Sequence, residues 1–408
     1  MFSRRDFLKS SPLLSLSPVV PSFLASTARA AAPTPDSRVL VVIDLDGGND
    51  GINTVVPFAD EGYAKFRRTL RLPKDRILKV NDRIGLHPSL SDFDKLLQSG
   101  RLAIVQGVGY PNPSGSHGES YMIWQTAQFT EEEQREGYGW LGRALSESQR
   151  PLSGGPASFS IGTESPPIAL RGKKTTVSAL NDFEDFAAST SEGFQRASTG
   201  PDSKDDLAGF VRRSLLDGYL TADSLREASR GKRTDVVYPQ TELARRLGLI
   251  ASALKAELGT RIFYTNQSRT GVTPGGYDTH ATQLPTHALL LSELGGALRA
   301  FLDDLAAAKI AERVAVLIFS EFGRRVAENG SGGTDHGTAG PVFLAGAGLK
   351  GRLFGEQPSL LDLDNGNLKM STDFRQVYAD ILEDWLDLPA KTALGGEFKK
   401  LELFRAHT

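Results

Sequence analysis

Short apolar runs alternate with longer stripes of helical spacing along this chain, and that alternation constrains the fold more than any other feature. Residues 39–43, 102–108, 157–161, 168–170, 261–265, 314–319 and 342–345 read as buried strands bounded by turn residues. Helical spacing falls between them, at 63–70, 92–100, 119–128, 243–258, 287–308 and 373–386. The stripe Leu290, Leu294, Leu298, Phe301, Leu302, Leu305 is the longest apolar face. Strands covered on both faces read as continuous apolar runs. The order therefore predicts an α/β domain with a mostly parallel central sheet and helices on both faces.

In such a sheet ligands bind outside the carboxyl ends of the strands, and the polar residues of this chain gather there. Run 39–43 leads into Asp44-Leu45-Asp46-Gly47-Gly48-Asn49-Asp50-Gly51. Run 102–108 leads into a Gly/Pro/Ser loop ending in Ser116-His117 at a helix start, where free amides and the helix dipole favour anions. Ser114 and Ser116 also suit simple capping. Run 261–265 is followed by Gly276-Tyr277-Asp278-Thr279-His280. Run 314–319 is followed by Glu321-Phe322-Gly323-Arg324-Arg325 and then by Gly333-Thr334-Asp335-His336-Gly337. Four of the six histidines, His117, His280, His287 and His336, lie in or near these loops. Carboxylates and imidazoles are the ligands that divalent metals take.

Several other chemistries are excluded. The chain has no cysteine, so it has no disulfide, thiolate metal site or cysteine nucleophile. It lacks a Gly-x-x-x-x-Gly-Lys-Ser/Thr loop and a Gly-x-Ser-x-Gly elbow. Gly346-Ala347-Gly348-Leu349-Lys350-Gly351 has dinucleotide-loop spacing, but no helical pattern follows, so it reads as a glycine turn. No basic block suggests nucleic acid as a partner.

The first 30 residues read as a leader. Ser3-Arg4-Arg5-Asp6-Phe7-Leu8-Lys9 is a twin-arginine export motif, followed by a broken apolar run and the small-residue cleavage site Ala28-Arg29-Ala30. That run is too short to span a bilayer, which takes about 20 apolar residues. Its removal takes four basic residues and one acidic residue, and moves the formal net charge from −2 to −5. The expectation is a protein exported folded by the twin-arginine translocase to the periplasm or beyond, with no stable membrane span. Residues 31–408 would form one α/β domain, with the polar stretch 185–232 a helical insertion or lid.

The pieces Gly47-Gly48-Asn49-Asp50-Gly51-Ile52-Asn53-Thr54-Val55-Val56-Pro57, Ser116-His117, Gly276-Tyr277-Asp278-Thr279-His280, Ser320-Glu321-Phe322-Gly323-Arg324 and Thr334-Asp335-His336-Gly337 together resemble a twin-arginine-exported bacterial family, domain of unknown function 1501. That family is in turn similar to the alkaline phosphatase, sulfatase and cofactor-independent phosphoglycerate mutase superfamily. The resemblance implies an alkaline-phosphatase-like fold. It implies a first-strand acid at Asp44, Asp46 or Asp50, a nucleophile at Ser116, an Asp…His pair at Asp278 and His280, and a final His at His336. Where the superfamily has Asp-His-Gly, this chain has Glu321-Phe322-Gly323, so one imidazole is replaced by a ring that binds no metal.

The resulting expectation is a metal-dependent hydrolase of phosphate or sulfate esters, or a related transferase. Its ligands would be Asp50, Asp278, His280, Asp335 and His336, with Ser116 as nucleophile and Glu321 as acid/base. His117, Arg324 and Asn49 would bind a small anionic substrate or a sulfated or phosphorylated polymer. The metal would be zinc, with manganese or calcium as alternatives, in a one-metal or two-metal centre. The competing expectation is an exported binding or assembly protein that keeps the fold with a degenerate site.

Overall fold

The computed structural model describes residues 38–148, 157–163, 165–173, 175, 177–180, 235–257, 259–268 and 276–405. The expected leader, 1–30, and the expected insertion, 185–232, lie outside them.

The core is a nine-stranded sheet. Its strands are β1 (Val39–Leu45), β2 (Leu102–Gly109), β3 (Ser158–Ile161), β4 (Val177–Leu180), β5 (Ile262–Gln267), β6 (Val314–Phe319), β7 (Gly340–Gly346), β8 (Leu353–Phe354) and β9 (Thr372–Asp373). Their spatial order is β8-β2-β7-β6-β1-β5-β3-β4, with β9 also paired to β2. Strand β1 pairs in parallel with β5 and β6, and only β7 runs against its neighbours β2 and β6. Strands β1, β2, β5 and β6 therefore end at the same edge, the one expected to carry the site.

Every residue of β1 is buried, as its unbroken run requires. Alternate side chains feed different layers, because strand side chains point to opposite faces. Val39, Val41, Ile43 and Leu45 pack with helices α1 (Ser91–Gln98), α4 (Glu242–Lys255) and α5 (Gln283–Ala307). Leu40 and Val42 pack on the other face with α2 (His117–Thr126), α3 (Trp140–Glu147) and α6 (Phe374–Asp380). The sheet is thus covered on both sides.

Some local expectations fail. The run 168–170 is a 3-10 turn (Ile168–Leu170), not a strand. It follows Pro166-Pro167, and proline has no N–H to give a ladder. The helix expected over 63–70 stops at Phe66, where Arg67 turns inward and is fully buried. Strand β7 is antiparallel because the 320–339 loop folds back as a ribbon, with Gly323 N–H donating to Thr338 O and Arg325 N–H to Asp335 O.

Candidate metal centre

Three strand-end loops bring their polar residues to one point. The ribbon that sends β7 back sets His336 opposite Arg324 in an antiparallel bridge. The loop after β2 enters α2 beside it, because the Gly115 carbonyl accepts from His336 Nδ1 at 2.7 Å. The loop before α5 carries Asp278 and His280, and is held to the ribbon by Thr334 N–H donating to Thr279 O. Glycine makes the close approach possible. Gly47, at φ +114°, lies so near the 277–278 backbone that a Cβ would stand 2.5 Å from Asp278 N.

Asp278 Oδ1 is the hub. His280 Nε2 lies 3.0 Å away, His336 Nε2 3.2 Å and His117 Nε2 3.6 Å. The Nε2 atoms of His280 and His336 are 2.9 Å apart. All three rings have the other nitrogen occupied from outside. His117 Nδ1 meets Glu321 Oε1 at 2.8 Å, His336 Nδ1 meets the Gly115 carbonyl, and His280 Nδ1 meets Asp335 Oδ1 at 3.3 Å. Carbonyls and carboxylates only accept, so each Nδ1 donates outward and each Nε2 is the nitrogen turned inward. These inward nitrogens surround one carboxylate oxygen, which Arg324 Nη2 also reaches at 2.6 Å, while Arg324 Nη1 stands 3.5 Å from His280 Nε2.

Imidazole and carboxylate are ligands that divalent metals take. Ligands at about 2.0–2.1 Å on a tetrahedron stand about 3.3 Å from one another; Asp278 Oδ1 lies 3.0 to 3.6 Å from the three Nε2 atoms, and those of His280 and His336 are 2.9 Å apart. Among the described residues, His117, Asp278 and His336 form the one group of three or more such side chains close enough to share an ion.

The surroundings tune the ligands. Glu321 is 2 % exposed, and its oxygens accept from Gly47 N, Gly48 N, Ser320 Oγ and His117. The hydrogen bond that His117 donates to Glu321 raises the His117 pKa, against some burial. Burial works to raise the Asp278 pKa, but the Arg324 hydrogen bond and charge outweigh it and hold the carboxyl below its ordinary range. Asn329 Nδ2 donates to Asp335 at 3.1 Å and does the same there. Phe322 packs against His117 and His336, with ring centroids 4.9 and 4.8 Å away. It walls the centre where the resemblance expected an imidazole.

The expected site residues divide accordingly. Asp278, His280 and His336 come together. His117, expected on substrate, joins them. Asp335 does not face the centre; it stands behind His280 as an acceptor. Glu321 has both oxygens engaged, one of them by His117 Nδ1. Asp50 is drawn away altogether. Its carboxylate is fully buried and bound by Arg67 Nη1 and Nη2, at 2.6 and 3.0 Å, and by Gln283. Asn49 is buried too, with its Oδ1 held by Thr54 and His287. Arg324 is no anion clamp. Its buried guanidinium donates to Gly48 O, Thr334 O, Gly47 O, Tyr277 O and Asp278 Oδ1. Ser116 is exposed at the N-cap of α2, makes no side-chain capping bond, and sits between two residues that touch the centre.

A family model described as a protein of unknown function, DUF1501, matches residues 37–384. The chain belongs to the DUF1501 family. No curated protein matches it. Among solved structures, the family member is similar to the PsFucS1 sulfatase from Pseudoalteromonas sp., at 12 % identity over 95 % of this chain and 77 % of that one, with a TM-score of 0.41. It is similar to the lipoteichoic acid synthase LtaP from Listeria monocytogenes, at 11 % identity, 86 % and 80 % coverage and a TM-score of 0.38. A protein in the alkaline phosphatase superfamily from Vibrio parahaemolyticus matches at 12 % identity, 79 % and 63 % coverage and a TM-score of 0.34.

Proposed function

We propose that this DUF1501 protein is a metal-dependent hydrolase of phosphate or sulfate esters, or a related transferase, built on one metal ion and not two. The observation that carries this is the convergence of three Nε2 atoms on Asp278 with every Nδ1 already bonded outward. His117, His336 and Asp278 would hold the ion, with His280 beside them as a further ligand on closure, and zinc is the metal their chemistry fits best. A bound ion there would supply Lewis acidity and charge for a developing oxyanion. Ser116 is the nucleophile in this reading. Its hydroxyl is exposed at the start of α2, where free backbone amides face an incoming anion. Glu321 and Asp335 hold the His117 and His280 rings in register, as outer carboxylates do at metal centres. Export by the twin-arginine translocase to the periplasm belongs to the same proposal and rests on the motif Ser3–Lys9 and the residues after it.

One observation favours a second reading. Phe322 fills the place of an expected ligand, and the Arg324 guanidinium is taken up by backbone carbonyls and by Asp278. A chain of this kind could keep a metal for binding or assembly without turnover. Metal analysis of the purified protein, followed by assay of aryl phosphate, phosphodiester and sulfate esters with wild type and Ser116→Ala, separates the two. One tightly bound zinc and activity lost in Ser116→Ala are expected. No stoichiometric metal after reconstitution would defeat the hydrolase reading, and full activity in Ser116→Ala would remove the serine from it.

A further inference from the structure

Beside the centre lies a second cleft, of about 320 Å³. Its floor is the carboxyl end of the sheet, where Asp44 of β1 stands in register with Asn266 of β5. His117 and Tyr121 of α2 form one wall, and Asp46 and Glu321 add further acids. Because His117 lines the cleft with one face and meets Asp278 with Nε2, a ligand in the cleft abuts the centre.

The cleft is negative. Asp44, Asp46 and Glu321 line it, and no lysine or arginine is among its described lining residues. Arg246 reaches Asn266 without lining the space. Asp44 is 3 % exposed. Its Oδ2 accepts from Tyr264 OH at 2.9 Å, but its Oδ1 has no partner in the protein. A buried carboxylate oxygen left unpaired is costly. Burial, and then the charges of Glu321 and Asp46, push the Asp44 pKa well up, so the position favours whatever brings a proton or a positive charge to Oδ1. These three acids do not form a group tight enough to share a bare metal ion, and the volume suits a small organic group.

We infer that the Asp44 cleft receives an ammonium group, so that the ester acted on at the neighbouring centre is amine-bearing and not purely anionic. This rests on the metal-centre reading for the word ester, and on the cleft alone for the ammonium. The amine would donate to Asp44 Oδ1, with Asp46 and Glu321 supplying the surrounding negative field.

Two phosphonates of matched length, 3-aminopropylphosphonate and butylphosphonate, test it by calorimetric titration of the full chain, both zinc-loaded and zinc-stripped. The amino compound is expected to bind about 10–100-fold more tightly, the range of one charge-assisted hydrogen bond. That ratio should fall to about one in Asp44→Asn, with circular dichroism and melting checked to show that the variant folds. Glu397→Gln, at an exposed acid paired with Lys391 and outside the cleft lining, serves as the control and should keep the ratio. Equal affinity for the two probes in wild type, or binding of neither, overturns the inference. So does a second zinc equivalent that Asp44→Asn removes, since the cleft would then be a metal site. Failure to bind any zinc defeats the metal-centre reading instead, and the stripped-protein comparison still decides the ammonium.

Discussion

Two clusters of the same residue types lie on either side of the Gly47–Asp50 loop, and they differ in whether their bonds are closed. Behind the loop, Asp50, Arg67, Gln283, His287, Asn49 and Thr54 are all buried and bonded to one another. Arg67 also donates to the carbonyls of Val326 and Arg325. In front, Asp278, His117, His280 and His336 are partly exposed, with three Nε2 atoms gathered within 3.6 Å of one carboxylate oxygen. The closed cluster holds loops together. The open one is arranged for something that arrives from outside.

The sharpest way to break that contrast is to open the closed cluster. Asp50→Ala leaves the Arg67 guanidinium buried without its carboxylate, and should cost about 3–5 kcal/mol in urea unfolding. His336→Ala should do the reverse. Calorimetric titration should show zinc affinity falling by more than the ~10–100-fold that loss of an outer partner costs, while the metal-free protein keeps its stability within about 1 kcal/mol. If the metal-free protein loses as much as Asp50→Ala, the two clusters are not different in kind.

Acid separates the clusters next. Burial pushes His287 down to about 3 and His87 down to about 4. Unfolded histidines bind protons near pH 6.5, so their contribution is complete above that pH and is lost as pH falls toward the folded values. The slope is about 1.4 kcal/mol per pH unit for each histidine. For Asp50, burial is outweighed by Arg67 and the value drops to about 2. Its contribution is complete above pH 4 or so, and fades as pH falls toward about 2. Unfolding of metal-free protein measured from pH 7 to pH 3 should show the histidine slope, and a flat profile would contradict it.

Smaller effects test the outer partners of the open cluster. Glu321→Gln should weaken zinc binding about 10–100-fold by losing the carboxylate that orients His117. Asp335→Asn should change it less than about 10-fold. Asp335 is 57 % exposed and its contact with His280 is 3.3 Å, and such exposed pairs contribute little. Equal effects from the two substitutions would mean that burial is not what distinguishes them.

The same contrast marks where the sequence was legible. Unbroken runs such as 314–319 are strands because a doubly covered sheet demands them, and the long stripe of α5 is helical for the same reason. The edge that carries the site followed from strand order. Partnership did not. Asp44, Asp46 and Asp50 lie within seven residues and look alike in the chain. One has an unpaired oxygen in a cleft, one is exposed, and one is buried against Arg67. Arg324 and Arg325 are adjacent, yet the first is buried and the second exposed. No local pattern reports which arginine will find five acceptors, because four of those acceptors come from two other loops. His117 was legible as a site residue but not as a ligand, since its outer partner Glu321 lies 204 positions away.

That separation has a consequence for synthesis. The groups that define the open cluster are spread from Gly115 to His336, and β1 must already lie between β5 and β6 for the loops to meet. A nascent chain that stops short of residue 336 holds two of the three rings and no centre. On the proposed reading, tight metal uptake would serve as a proofreading signal, reporting a chain made past the 330s and folded.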